Sequence, residues 1–272
     1  MPEVEWNRLK VHELRALAAQ DTVIILPVAA TEQHGPHLPT MTDSRIGGEI
    51  ACRAAQKSYP EQPAVVIPVL FAGLSSHHMG FGGTLTFDHE TFIAVIGSLI
   101  RSVVQHGFRK ILLSNSHGGN ITAIQFAAER FAQETAATVV ATTYANEAGA
   151  AIAPILEDQP GVMHACEAET SMMLALEPEL VDASNLAALN TERGRGFLYA
   201  GQASYRWRPF HHMTANGVSG FPEKASAEKG ERLLETASDA IASLIANPET
   251  WTSANDLRKD ELEASQSNNL FS

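Results

Sequence analysis

Glu32-Gln33-His34-Gly35-Pro36-His37-Leu38-Pro39-Thr40-Met41-Thr42-Asp43 follows directly on the apolar run Thr22 to Ala30 and decides the reading of the chain. It sets a carboxylate, an imidazole and a second carboxylate within one strand-to-helix turn. On extended backbone, side chains two apart share a face, so Glu32 and His34 can hold one centre together. Pro36 and Pro39 stiffen the return that brings Asp43 back towards it. Two further clusters have the same flavour: Ser114-Asn115-Ser116-His117-Gly118-Gly119-Asn120, after the apolar run Ile111 to Leu113, and His164-Ala165-Cys166-Glu167-Ala168-Glu169-Thr170-Ser171. Histidine with carboxylate, and no cysteine pairs at zinc-finger spacing, suits Zn, Mn, Fe or Co in an open catalytic site better than a closed structural one.

Around these clusters, four short β-branched runs (Thr22 to Leu26, Ala64 to Val69, Ile111 to Leu113, Thr138 to Thr142) alternate with segments of helical period. Phe92, Val95, Ile96, Leu99, Ile100 and Val103 build one apolar stripe, and Asp88 stands where an N-cap belongs. Ile121, Ile124, Ala128 and Phe131 repeat the spacing, Ile46, Ile50 and Ala54 do so more weakly, and a last amphipathic helix covers about Ala225 to Ala246. Interleaving of this kind predicts an α/β fold, a mostly parallel central sheet with helices on both faces. Ligands bind such sheets beyond the carboxyl ends of the strands, which is where Glu32, His34, Asp43 and His117 all fall.

Bulk properties narrow the function. The chain has 272 residues and a formal net charge of −12, spread without acidic blocks or a basic stripe. That argues against nucleic-acid and anionic-membrane binding. No basic-then-apolar leader and no spanning apolar stretch are evident, which predicts a cytoplasmic protein. Cys52 and Cys166 lie in different contexts and are expected to be free thiols. One domain, 1–250, is expected, followed by a polar tail, 251–272, that ends Ser265-Gln266-Ser267-Asn268-Asn269. Residues 72–90 and 190–224, rich in Gly, His and Arg, read as long functional loops; Arg193, Arg195, Arg206, Arg208, His211 and His212 lie in the second.

Taken in order, Glu32-Gln-His34, Thr42-Asp43, His117-Gly-Gly-Asn120 and His164-(four residues)-Glu169-Thr170-Ser171 resemble the creatininase (creatinine amidohydrolase) family over roughly residues 20–220. The resemblance implies a three-layer α/β/α fold, two divalent metal ions per chain (Zn, Mn or Fe), hydrolysis of C–N bonds in small amides, and the homohexamer common in the family. Matched residue by residue, it implies Glu32, His34, Asp43 and His117 as metal ligands with Asp43 bridging, Glu169 as a further ligand, and His164 as catalytic acid or base, with Glu167 the alternative proton donor. Creatininase itself has His-Tyr-Glu-Asn where this chain has His117-Gly118-Gly119-Asn120, and a tryptophan near Tyr144. A substrate-touching tyrosine and a glutamate beside the metals are therefore missing, and creatinine is not the expected substrate. His-Gly-Gly-Asn looks like the wider family, which includes formamide-cleaving deformylases and a protease-like branch.

The chemistry that follows is a dinuclear amidohydrolase acting on a small amide, cyclic amide or formamide through a metal-bridged hydroxide. Two divalent ions carry four positive charges, matched by Glu32, Asp43, Glu169 and one hydroxide, so the centre is neutral. Bound metal lowers the pKa of water from 15.7 towards about 7, and two ions roughly 3.5 to 4 Å apart can also polarise the carbonyl. His164, with an ordinary value near 6.5, is suited to protonate the leaving amine. Gly118, His78 and Tyr144 are the expected substrate contacts. His77 and His78 are otherwise read as loop histidines without a metal role, His37 as a supporting residue, and Cys166 as a small filler. The alternatives are a hydrolase or isomerase of a lactone or keto-sugar on the same centre, and a non-catalytic metal-holding scaffold.

Overall fold

The computed structural model describes residues 2–59, 61–191 and 205–252. Among them, β1 (Val23–Val28), β2 (Ala64–Val66), β3 (Lys110–Asn115) and β4 (Thr138–Thr143) form one sheet in the order β2-β1-β3-β4. All three pairings are parallel, with Ile24 opposite Val65 and Ile111, and Ile111 opposite Val139. β1 reads Val-Ile-Ile-Leu-Pro-Val and every residue is buried, as a central strand covered on both faces must be.

The alternation of side chains along the strands divides the core in two. Val23, Ile25 and Leu112 point into one cluster with helices α2 (Thr42–Ser58), α7 (Glu167–Leu176) and α8 (Ala227–Ala246), joined by the short helices α5 (Tyr144–Glu147) and α6 (Gly149–Ile152). Ile24, Leu26, Ile111 and Leu113 point into the other, against α1 (Val11–Ala18), α3 (His89–Gln105) and α4 (Ile121–Glu134). The result is the three-layer α/β/α architecture. α3 starts as its sequence predicts: the Asp88 carboxylate accepts from Thr91 N–H at 2.7 Å, a cap that stabilises by about 1 kcal/mol. Ser226 caps α8 in the same way, accepting from Lys229 N–H at 3.2 Å.

α8 sits on α7 with almost no gap. A Cβ at Gly230 would come 1.9 Å from the Ser171 carbonyl oxygen, so only glycine lets the two backbones meet. On the surface side, Arg53 of α2 reaches Glu231 and Glu235 of α8, while Lys57 reaches Glu235 and Asp239.

Because β2 lies on one side of β1 and β3 on the other, the chain reverses direction across the sheet between β1 and β3. The crevice beyond the carboxyl ends of these two strands is the place such a sheet leaves for a ligand. Residues 72–90 are more ordered than a plain loop: Ser76–Phe81 form a 3-10 turn at this edge. Arg193 and Arg195, and the tail at Ser265 to Asn269, lie outside the described residues. No described helix is long and apolar enough to cross a membrane.

Candidate metal centre

Five elements deliver side chains to the β1–β3 crevice. Glu32 and His34 come from the segment after β1, Asp43 from the first turn of α2, His117 from the residues after β3, His77 and His78 from the 3-10 turn, and His164 with Glu169 from the start of α7. The Glu32, His34 and His78 side chains are essentially inaccessible. His117 Nδ1 lies 3.2 Å from both Glu32 Oε1 and Asp43 Oδ2, and His34 Nε2 lies 3.2 Å from Asp43 Oδ1 and 3.7 Å from Glu169 Oε2. Ligand atoms of His34, Asp43 and Glu169 converge in one group, and those of Glu32, His77 and His117 in another.

The second atoms of the imidazoles fix which nitrogen faces inward. His117 Nε2 lies 3.2 Å from the Leu74 carbonyl oxygen, which can only accept, so Nε2 carries a proton and Nδ1 is the nitrogen that faces the carboxylates. His34 Nδ1 likewise faces the Glu32 carbonyl oxygen at 3.1 Å, leaving Nε2 for the centre. Asn115 and Asn120 brace the turn: Asn120 Nδ2 donates to Ala29 O and Asn115 Oδ1, and Asn120 Oδ1 accepts from Leu74 N–H at 2.9 Å. Asn120, the last residue of the His-Gly-Gly-Asn motif, therefore ties β1, β3 and the 72–75 segment together.

The electrostatics are those of a site short of cations. Glu32 Oε1 and Oε2, His34 Nε2 and Asp43 Oδ2 are all buried without a hydrogen-bond partner, although such atoms are expensive to leave bare. Burial opposes charge on His34, yet Asp43, Glu169 and Glu32 raise it to about 10. Burial opposes charge on His117 too, and Glu32 and Asp43 outweigh it, holding that ring well above its ordinary value. Glu169 is pushed up to about 8 by burial, with Asp43 adding to the effect against the pull of His34. Glu32 moves the other way despite burial, held well below the usual carboxylate range by His117 and His78. Protons on histidine are here offsetting carboxylate charge that divalent ions would offset better. The donor set, imidazole nitrogen and carboxylate oxygen without thiolate, fits Zn, Mn or Fe.

His164 forms a third group of possible ligand atoms with Glu32 and His34. Its Nδ1 is 3.5 Å from Glu32 Oε1, while Nε2 lies 2.9 Å from the Gln33 carbonyl oxygen. Nε2 is also 3.0 Å from the Gln33 side-chain amide nitrogen, and Nδ1 is the nitrogen that faces the crevice. Burial, with the charges of His34 and His78, holds His164 well below its ordinary value rather than near 6.5 as expected from sequence. At neutral pH it starts as a base.

Two sequence-based assignments change. Glu167 is fully buried, but its carboxylate is paired with Lys229 Nζ and accepts from Glu157 N–H at 3.1 Å, so it anchors α8 and is not a proton donor at the centre. His78 does not offer an edge to substrate: Nδ1 is 2.7 Å from Gln33 Nε2 and Nε2 is 3.3 Å from Glu32 Oε1, so both nitrogens face protein groups. His77, read as a plain loop histidine, stacks on His117 with an interplanar angle of 11°. Gly118 leaves open space, since a Cβ there would meet nothing within 4 Å. Tyr144 is buried, and burial followed by Glu169 and Asp43 keeps its hydroxyl protonated.

Sequence reasoning missed Gln33, which spans from His78 to the Gly217 carbonyl oxygen, and Phe210, whose ring lies 4.4 Å from His78 and 4.9 Å from His164. Neither residue type signals a site by itself. His37 donates to or accepts from Thr170 Oγ1 at 2.9 Å and is a supporting residue. Cys52 and Cys166 are free thiols.

Comparison with known proteins adds an independent line. The profile of the Creatininase family, described as creatinine amidohydrolase, matches residues 7–245. The chain is 30% identical over 234 residues to a mycofactocin precursor peptide peptidase of Mycobacterium ulcerans (strain Agy99), covering 84% of this chain and 85% of that one. It is 29% identical over 263 residues to a 3-dehydro-scyllo-inosose hydrolase of Thermotoga maritima, covering 89% and 82%. Among solved structures, creatinine amidohydrolase (creatininase) superposes with a TM-score of 0.75 at 28% identity, over 93% of this chain and all of that one. A manganese form, "Creatininase Mn", gives 0.72 at 28% identity over 90% and 98%.

Proposed function

The chain belongs to the creatininase family of metal-dependent amidohydrolases, and we propose that it uses a dinuclear centre to hydrolyse a C–N bond of a small amide, cyclic amide or formamide other than creatinine. The observation that carries this reading is the set of bare buried atoms, Glu32 Oε1 and Oε2, His34 Nε2 and Asp43 Oδ2, gathered beside the inward-facing Nδ1 of His164. Glu32, Asp43 and His117 would hold one ion, and His34, Asp43 and Glu169 the other. Bound there, the ions would supply Lewis acidity that polarises the scissile carbonyl and makes water a nucleophile at neutral pH.

The remaining work falls to this chain's own groups. His164 Nδ1 takes a proton from the attacking water and returns it to the departing nitrogen, which cannot leave as an amide anion. The Gln33 backbone oxygen and side-chain amide both meet Nε2 and hold the ring with Nδ1 facing the crevice. Tyr144 keeps its proton and can donate to a developing oxyanion. Gly118, with open space around it, supports a substrate bulkier than a compact ring. Retention of His164 beside a complete ligand set argues against a non-catalytic scaffold.

A second reading, hydrolysis or isomerisation of a lactone or keto-sugar on the same centre, is favoured by the Thermotoga maritima relative, a 3-dehydro-scyllo-inosose hydrolase. The deciding experiment assays metal-analysed protein against formamides, cyclic amides and short peptides in one panel and lactones and keto-sugars in another, with creatinine as reference. Activity confined to the second panel replaces the first reading. Creatinine turnover of order 10 to 10³ s⁻¹, the range of native substrates, would show that Gly118 and Tyr144 are misread.

A further inference from the structure

We propose that His77 is the fourth protein ligand of the ion held by Glu32, Asp43 and His117, and that this makes the two metal positions unequal. The inference rests on the dinuclear reading above. Ligand atoms of Glu32, His77 and His117 all lie within 4.8 Å of one another, a cluster that could hold one ion. The His77 and His117 rings are nearly parallel, 5.7 Å apart between centroids, which lets both present a nitrogen to the same side. Glu32 is fully buried, and its Oε1 lies 3.2 Å from His117 Nδ1.

Gly119 explains why the ligand comes from another loop. A Cβ on Gly119 would meet His117 Nε2 and the Leu74 carbonyl oxygen at 2.4 Å each, and His77 Cε1 at 3.0 Å. No side chain can therefore reach the ion from position 119 without moving His117, and the His77 ring occupies the adjoining space. Phe210 packs on His77 and its neighbour His78, with its ring centroid 6.2 Å from His77 and 4.4 Å from His78.

The consequence is an ordered pair. One position has two imidazoles and two carboxylates, a donor set that favours zinc-like ions over manganese and magnesium. The other, with His34, Asp43 and Glu169, has one imidazole and shares Asp43, so it stays more open and binds less tightly.

The test is metal binding, not turnover. Metal-stripped wild type, His77→Ala and His77→Gln are titrated with Zn²⁺ against a chromophoric chelator, and the visible spectrum of Co²⁺-loaded protein is recorded. Wild type should bind two ions in two steps, and both variants should lose the tighter step by at least about 100-fold, since a lost supporting partner of a ligand alone weakens binding about 10- to 100-fold. The Co²⁺ band of the first ion should shift in both variants. Two tight ions with unchanged spectra in both variants overturn the His77 assignment and leave the dinuclear reading intact. A single ion in wild type overturns both.

Discussion

Asp43 Oδ2 lies 3.2 Å from His117 Nδ1, while Oδ1 of the same carboxylate lies 3.2 Å from His34 Nε2, so one side chain faces both halves of the centre. Asp43→Ala should therefore remove both ions, whereas Glu169→Ala should remove one. Elemental analysis after dialysis checks this. If Asp43→Ala keeps a full load, Asp43 is not the bridge.

His164→Asn should keep the metal load and the fold and lose roughly 10²- to 10⁴-fold in turnover, the usual worth of a general acid or base. Metal content is the control, because His164 also lies in a group with Glu32 and His34. Loss of an ion in this variant would place His164 among the ligands.

Burial, reinforced by the charge of His34, lowers His37 from 6.5 to about 4. The unfolded chain then takes up a proton before the folded one as the pH falls. Stability is full above the unfolded value and declines from there down to about 4, and His78, lowered to about 3 mainly by burial, acts in the same direction. Between pH ~6.5 and ~5 His37 alone should remove about 1.5 kcal/mol. His37→Gln, which can keep the Thr170 contact, should flatten that part of the decline in guanidinium unfolding of the metal-free protein. An unchanged slope would mean that His37 does not titrate as argued.

Burial raises both thiols, Cys52 and Cys166, from 9.0 to about 11, with nearby carboxylates adding to the shift. Two units lower the thiolate fraction about 100-fold, and the thiolate is the reactive form. Native protein at pH ~8 should thus label with iodoacetamide at least ~100-fold more slowly than unfolded protein. Rapid labelling of Cys166 would reopen the case for a nucleophile there.

How far the site could be read from sequence depends on where each residue stands relative to regular structure. Glu32, His34 and His117 follow strands whose β-branched runs are unmistakable, and the winding of the sheet brings those strand ends together. Glu167 and Glu169 defeat the same reasoning. Both lie in one motif, but on a helix residues two apart are about 200° apart, so one faces the metals and the other Lys229. Helix phase is invisible until the start at Glu167 is known. His77 was illegible for another reason: the Ser76–Phe81 turn has no hydrophobic period, and its approach to His117 is a tertiary accident of the loop. Phe210 reads as one more core aromatic until the backbone shows which rings it touches.

The contact between Gly230 and the Ser171 carbonyl gives the centre a ruler. Glu169 precedes Ser171 by two residues on the same helix, so the thickness of the seam between α7 and α8 sets how far that carboxylate reaches. A single methyl group at position 230 would force the seam apart and so disturb the helix that carries Glu169. A substitution in this buried seam would thus reach the centre with every ligand still in place.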